Sequence, residues 1–309
     1  MNPSRRVILA GVAGLAAGSA GKAAASDRTD TSAPTADLFT AHSSDGTQLS
    51  GHAQGDRQWP EILLIHGLRQ SRLSWEKQLA DPALARFRLV SFDLRGHGDS
   101  DKPAALEAYS EADRWADDVA AVIAAAGLRR PILVGWSLGG FVAGAYLRKY
   151  GGSGIAGINL VDAVTRLSPD LLGADSARFG RTTVSHDLAE RTAATADFLA
   201  ACFHQPPNAA DMQRMLVVNG MAARAVGEGF VRTETADLEP VFKAYAGPIL
   251  LTHGRHDRLV RLAMSERIKA IHARSRLSIF DASGHSPFYE EPERYGRELA
   301  EFARAAARG

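Results

Sequence analysis

A single cysteine, Cys202, is all the sequence offers, so no internal disulfide can form and stability must come from the core. It sits in the apolar helical stretch FLAACFHQ, where it is expected to pack as a small hydrophobe. Basic charge is not in excess either: 36 Lys and Arg face 35 Asp and Glu, which leaves no cationic field to hold nucleic acid. After residue 36 there is no repeat, heptad or low-complexity block, which excludes solenoids and coiled coils. No Cys/His cluster suggests a structural zinc, and neither metal nor cofactor is expected. Long apolar runs are missing too, since the weakly apolar stretch at residues 7–21 falls short of the roughly 20 residues that span a bilayer.

That stretch has a different meaning. Arg5 and Arg6 precede VILAGVAGLAAGSAG, followed by Lys22 and the small residues AAAS. A charged region, a mildly apolar region and a small-residue cleavage site in that order describe an export signal over residues 1–25, and the paired arginines resemble a bacterial twin-arginine signal. Cleavage would leave 33 basic and 35 acidic side chains and no stable membrane insertion. The expected location is then periplasmic or secreted; an uncleaved N-terminal anchor is the alternative. Residues 26–37 read as a linker.

From Leu38 onward, strands alternate with helices. DLFTAHSSDGTQLSGHA predicts a hairpin turning at Asp45-Gly46. EILLIHG, FRLVSFDL, PILVGWS, IAGINLVDA, PILLTHG and RLSIFDASG are short apolar runs of the kind found in strands buried on both faces. Helical stretches such as RWADDVAAVIAAAGL separate them, which implies a mostly parallel sheet with helices on both faces. One interval breaks the rhythm. Residues 165–246 carry helical composition without a parallel-strand signal, too long for a simple connection. They are expected to form a helical cap inserted between core segments 38–164 and 247–309, over the ligand crevice at the carboxyl ends of the strands.

LVGWSLGGFVAG holds the chemistry. Gly135-Trp136-Ser137-Leu138-Gly139 fits a sharp strand-to-helix turn that exposes a serine hydroxyl, with glycines where backbones pass closely. A serine nucleophile needs a base, and the base an orienting acid. His285 follows a strand and precedes the last helix, so it belongs at the same sheet edge. Asp257 ends another strand and completes the order Ser, Asp, His; Asp162, at the end of INLVDA, is the rival acid. The N–H groups of Leu68 and Leu138 are the candidate oxyanion donors, with His66 a structural hydrogen-bonder in the same loop. His42, His52 and His272 read as surface positions. Trp75 and Trp136 are candidate borders of the acyl pocket. Phe179, Phe198, Met212, Met215, Leu216 and Phe230 are candidate liners from the insertion.

His66-Gly67, DLRGHGDS, the Gly-x-Ser-x-Gly elbow, HGRHDRLV and GHSPFYEEP occur in the order found in the α/β-hydrolase superfamily, which the chain resembles from about Leu38 to its end. The resemblance implies an eight-stranded, mostly parallel sheet with a helical cap, a triad of Ser137, Asp257 and His285, and a structural role for Arg95 and Asp99 in DLRGHGDS. The elbow Gly-Trp-Ser-Leu-Gly-Gly is similar to those of small carboxylesterases. Haloalkane dehalogenases and epoxide hydrolases carry aspartate where Ser137 stands. The loop His66-Gly67-Leu68-Arg69-Gln70 lacks the proline common in epoxide hydrolases and cofactor-free haloperoxidases, and the three glycines of many lipases. The resemblance thus implies hydrolysis of a small carboxylic ester, lactone or thioester. Perhydrolysis or C–C bond hydrolysis on the same triad, and ligand binding with little turnover, stay open beside it.

Overall fold

The computed structural model describes residues 37–308; the export-signal pattern lies outside them, as does the linker up to residue 36. Eight strands form one sheet: β1 (Asp37–His42), β2 (Gln48–Gln54), β3 (Glu61–Ile65), β4 (Arg88–Phe92), β5 (Ile132–Trp136), β6 (Gly157–Val161), β7 (Ile249–Gly254) and β8 (Ser275–Phe280). Their order across the sheet is β1-β2-β4-β3-β5-β6-β7-β8. β2 pairs antiparallel with both neighbours, and the remaining pairings are parallel. The β1–β2 hairpin turns at Gly46, whose φ of 85° suits glycine.

The central strands are buried on both faces, which is why they read as unbroken apolar runs. Alternate side chains go to opposite layers. Leu63, Ile65, Val90, Phe92 and Leu133 pack with Val119 and Phe141 of the helices Ala112–Ala125 and Leu138–Tyr150. Ile62, Leu64, Leu89, Ile132 and Val134 pack with Tyr295 and Leu299 of the helix Pro292–Ala306. Each such aliphatic side chain contributes about 1.5–3 kcal/mol by leaving water.

Between β6 and β7 the chain forms the helices Ser176–Thr182, Leu188–Ala201, Ala209–Gly220, Arg224–Phe230 and Glu239–Ala244. Two of them start on side-chain caps: Asp187 accepts from the Glu190 N–H and Asn208 from the Asp211 N–H. The last of the five belongs to the sheet's own packing, since Phe242 and the preceding Leu238 lie fully buried in the main core. Cys202 is buried with Phe179, Phe203 and Leu259. Burial pushes its thiol pKa upward, so it packs as an inert apolar group. Among the described residues no helix is long and apolar enough to cross a membrane.

One polar knot holds the edge of the sheet beside the site. Arg95 is fully buried and grips both carboxylate oxygens of Asp118, at 2.7 and 2.6 Å. It also reaches Asp45 in the hairpin turn at 2.8 Å. Arg95→Met leaves the Asp118 carboxylate buried and unpaired, and is expected to cost about 3–5 kcal/mol. Urea unfolding checks this, and Arg95→Met combined with Asp118→Leu should recover at least half the loss. Not every polar position behaves as its sequence suggests. His272, expected at the surface, is buried, with its Nε2 2.8 Å from the Tyr245 carbonyl.

Candidate active site

β5 ends at Trp136, and Ser137 turns the chain directly into the helix Leu138–Tyr150. The turn forces Ser137 to φ 53° and ψ −115°, a conformation an L-residue holds only when its surroundings over-determine it. Three backbone bonds do so: the Ser137 N–H donates to Val161, and its carbonyl accepts from Gly140 and Val164. The flanking glycines are steric necessities. A Cβ on Gly135 would lie 2.4 Å from the Gly139 carbonyl oxygen, and one on Gly139 would lie 2.3 Å from that of Ile65.

His285 sits in the loop after β8, buried, and its Nδ1 lies 2.7 Å from Oδ2 of Asp257. That bond places the proton on Nδ1 and leaves Nε2 free to act as a base. The Trp136 indole donates to the His285 carbonyl at 2.7 Å, so the residue beside Ser137 fixes the histidine loop. Among the described residues Ser137 Oγ has no hydrogen-bond partner.

Asp257 is held from two sides. Its Oδ1 accepts from the Leu259 and Val260 N–H groups at 2.8 and 3.0 Å. Burial opposes its ionisation, but the charge and hydrogen bond of His285 outweigh it and hold the carboxyl below the usual range. Asp162, the rival acid, lies beside Asp257 and not against His285. Its Oδ1 accepts from the Gly254 N–H at 2.9 Å. Complete burial and the adjacent Asp257 charge push its pKa well above the ordinary carboxyl value. The two adjacent carboxyls are therefore pushed in opposite directions, Asp257 toward ionisation and Asp162 away from it. His253 completes the cluster, within 3.6 Å of both acids, with Nδ1 on Ser265 and Nε2 on the Val260 carbonyl.

The other half of the site is the loop after β3. Among the described residues neither the Leu68 nor the Leu138 N–H is engaged by the protein; both residues line the cavity that holds Ser137. Two histidines fix this loop. His66 Nε2 accepts from the Leu94 N–H at 2.9 Å while Nδ1 donates to the Gly67 carbonyl at 2.7 Å. His97 Nε2 accepts from the Arg69 N–H at 3.1 Å and Nδ1 donates to the Arg95 carbonyl at 2.9 Å. The bond from the Arg69 N–H to His97 supports Arg69 at φ 60°. Asp93 accepts from the Arg72 and Asp99 N–H groups, and Arg72 also pairs with Asp99. Sequence reasoning expected a structural His66 and a loop shaped by Arg95 and Asp99, but missed the bonds from His97 to Arg69 and from Asp93 to Arg72, which span 28 and 21 positions.

Both loop histidines must stay neutral, since each accepts an amide proton. Burial lowers the pKa of His66 to about 4 and of His97 to about 3. In the unfolded chain such rings protonate near 6.5. As pH falls below about 6.5 the unfolded chain takes up protons that the folded one refuses, so stability declines until the folded values are reached. The urea midpoint should fall steadily between about pH 6.5 and 4.5; a midpoint flat over that window would contradict the burial effect.

The cavity in front of Ser137 measures about 850 Å³. Phe179, Phe198 and Phe230 of the insertion line it, together with Leu68, Leu138 and Val260 of the core. The other expected liners lie elsewhere. Trp75 has no exposed surface and packs in the opposite core layer, its ring 4.5 Å from Phe288 and 6.4 Å from Trp136. Trp136 borders a separate cavity of about 450 Å³, shared with Met215 and Phe288. Trp136 is the last residue of β5, and its ring packs in the same layer as Trp75 and Phe288. Met212 lines neither cavity, and Leu216 lines a third.

Sheet topology, elbow and the His285–Asp257 pair together define a hydrolase. Residues 60–292 match the family described as alpha/beta hydrolase fold, and the chain belongs to that family. It is similar to the crystal structure of a candidate aryl esterase from Burkholderia cenocepacia, with 39% identity, a TM-score of 0.85, and coverage of 88% of this chain and 100% of that one. The esterase RhEst1 from Rhodococcus sp. ECU1013 is 30% identical with a TM-score of 0.81, over 87% and 99% of the two chains. A bifunctional esterase/perhydrolase of Acinetobacter calcoaceticus is 27% identical over 84% of this chain and 98% of its own.

Proposed function

We propose that the protein cleaves a small carboxylic ester, lactone or thioester through an acyl-enzyme on Ser137. The observation that carries this reading is the strained Ser137 at the floor of an apolar cavity, with two unengaged N–H groups lining the same space. His285, oriented by Asp257, takes the Ser137 proton as Oγ bonds to the acyl carbon. The Leu68 and Leu138 N–H groups receive the oxyanion, and each such donor lowers the barrier by about 3–4 kcal/mol. The carbon–oxygen bond to the leaving group breaks as His285 returns the proton to the departing alcohol. Water then repeats the attack, and the acid is released with Ser137 restored.

The esterases among its relatives support the ester substrate. Pre-steady-state hydrolysis of p-nitrophenyl esters tests the mechanism: a burst of one p-nitrophenol per chain and a mass increase of one acyl group on Ser137 are expected. Steady turnover without either would overturn the acyl-enzyme. Perhydrolysis is the second reading, favoured by the Acinetobacter esterase/perhydrolase and detectable as peroxyacid formed from acetate and peroxide. The Arg5-Arg6 pattern and the small residues before Ser26 support a site of action outside the cytoplasm.

A further inference from the structure

Arg69 follows the oxyanion residue Leu68 and is 5% exposed. Buried arginines are ordinarily paired with a carboxylate. Among the described residues Arg69 has no salt bridge, and its guanidinium makes one hydrogen bond, from Nη2 to the Thr183 carbonyl. It lines two spaces at once, the cavity that holds Ser137 and a second one of about 570 Å³ between helices of the insertion.

The second cavity is built for negative charge. Arg191 and Arg224 line it with Arg69, alongside Thr192, Thr195 and Asn219; Nε of Arg224 pairs with Glu228 of the neighbouring cavity at 3.4 Å, and among the described residues no Asp or Glu lines the hollow itself. Asn219 is 1% exposed, and neither its amide nitrogen nor its oxygen has a partner among the described residues. Nη1 of Arg224 is likewise buried and unpartnered. Burial first, and then repulsion from Arg191, lower the Arg69 pKa to about 10, which still leaves it charged at neutral pH. Three guanidinium groups and an unsatisfied amide around one hollow form an incomplete site. A planar anion would complete it, because guanidinium donors match carboxylate oxygens in pairs.

We propose that this cavity binds the carboxylate end of the substrate, whose ester carbonyl lies at Ser137, with Arg69 as the shared wall; this rests on the esterase reading above. The substrates are then half-esters of dicarboxylic acids, or lactones and thioesters with a free carboxylate.

The test pairs p-nitrophenyl half-esters of succinate, adipate and suberate with neutral p-nitrophenyl esters of the same chain length. Wild type should favour one half-ester by kcat/KM. That preference should fall about thirtyfold in Arg191→Gln and in Arg69→Gln, the size of a lost charged hydrogen bond. Arg69→Lys should restore part of it. Because Arg69 adjoins the oxyanion loop, calorimetry with free adipate gives a second readout: saturable binding to wild type, lost in Arg191→Gln and Asn219→Leu, and competitive with the neutral ester. No preference, no adipate binding, or binding that does not compete overturns the proposal while leaving the esterase reading intact. Wild type inert toward the half-esters and the neutral esters alike would sink the esterase reading instead.

Discussion

Replacing Ser137 with alanine is expected to lower kcat for p-nitrophenyl esters at least about a thousandfold while leaving the fold intact. Alanine removes one oxygen from a residue open to the cavity, so no packing is lost. It must still adopt φ 53°, which glycine tolerates better. Ser137→Gly therefore separates the two roles of the residue: it should be as inactive as alanine but equal or greater in thermal stability. Elimination of the nucleophile in comparable sites leaves the residual catalysis of the oxyanion donors alone. A loss of less than tenfold would remove Ser137 from the chemistry.

The second large effect concerns the two buried acids. Asp257→Asn keeps the shape of the site but presents an amide to Nδ1, favouring the wrong tautomer of His285. Such a change costs about four orders of magnitude in kcat where the acid orients the base. Asp162→Asn should cost less than about tenfold, because His285 is held by Asp257 and not by Asp162, and burial beside Asp257 disfavours a charge on Asp162, so a neutral amide of the same shape suits the position. Its oxygen can keep the bond from the Gly254 N–H. Equal losses in the two variants would show that the pair, not Asp257 alone, orients the histidine. If Asp257→Asn is mild and the double substitution severe, Asp162 ionises and substitutes for its neighbour.

The legible part of this protein is the part whose residues are close in sequence or bound to regular periodicity. The elbow is five consecutive residues, and unbroken apolar runs disclosed the central strands because both faces of the sheet are covered. His285 and Asp257 each follow a strand, which brings them to one edge, where they pair at 2.7 Å. What stayed hidden depends on contacts between distant segments. Trp75 and Trp136 border motif loops in sequence, yet their rings turn into the layer with Phe288. His97 is one of ten histidines, and only the fold shows it holding the Arg69 amide. Arg69, Arg191, Asn219 and Arg224 come from a core loop and separate parts of the insertion. No spacing rule links them, and an unpaired arginine looks like any surface cation until its burial is known.

The sealed thiol of Cys202 has a practical consequence. With its sulfur enclosed by Phe179, Phe203 and Leu259, the native chain presents no competing target to maleimide reagents among the described residues. An engineered cysteine at exposed Val217 or Leu188 on the insertion can therefore be labelled alone, without first deleting a native one. Paired with a second label at exposed Tyr150 on the core, it turns the chain into a molecular ruler. Energy transfer between the dyes would then follow the distance between insertion and sheet through a catalytic cycle.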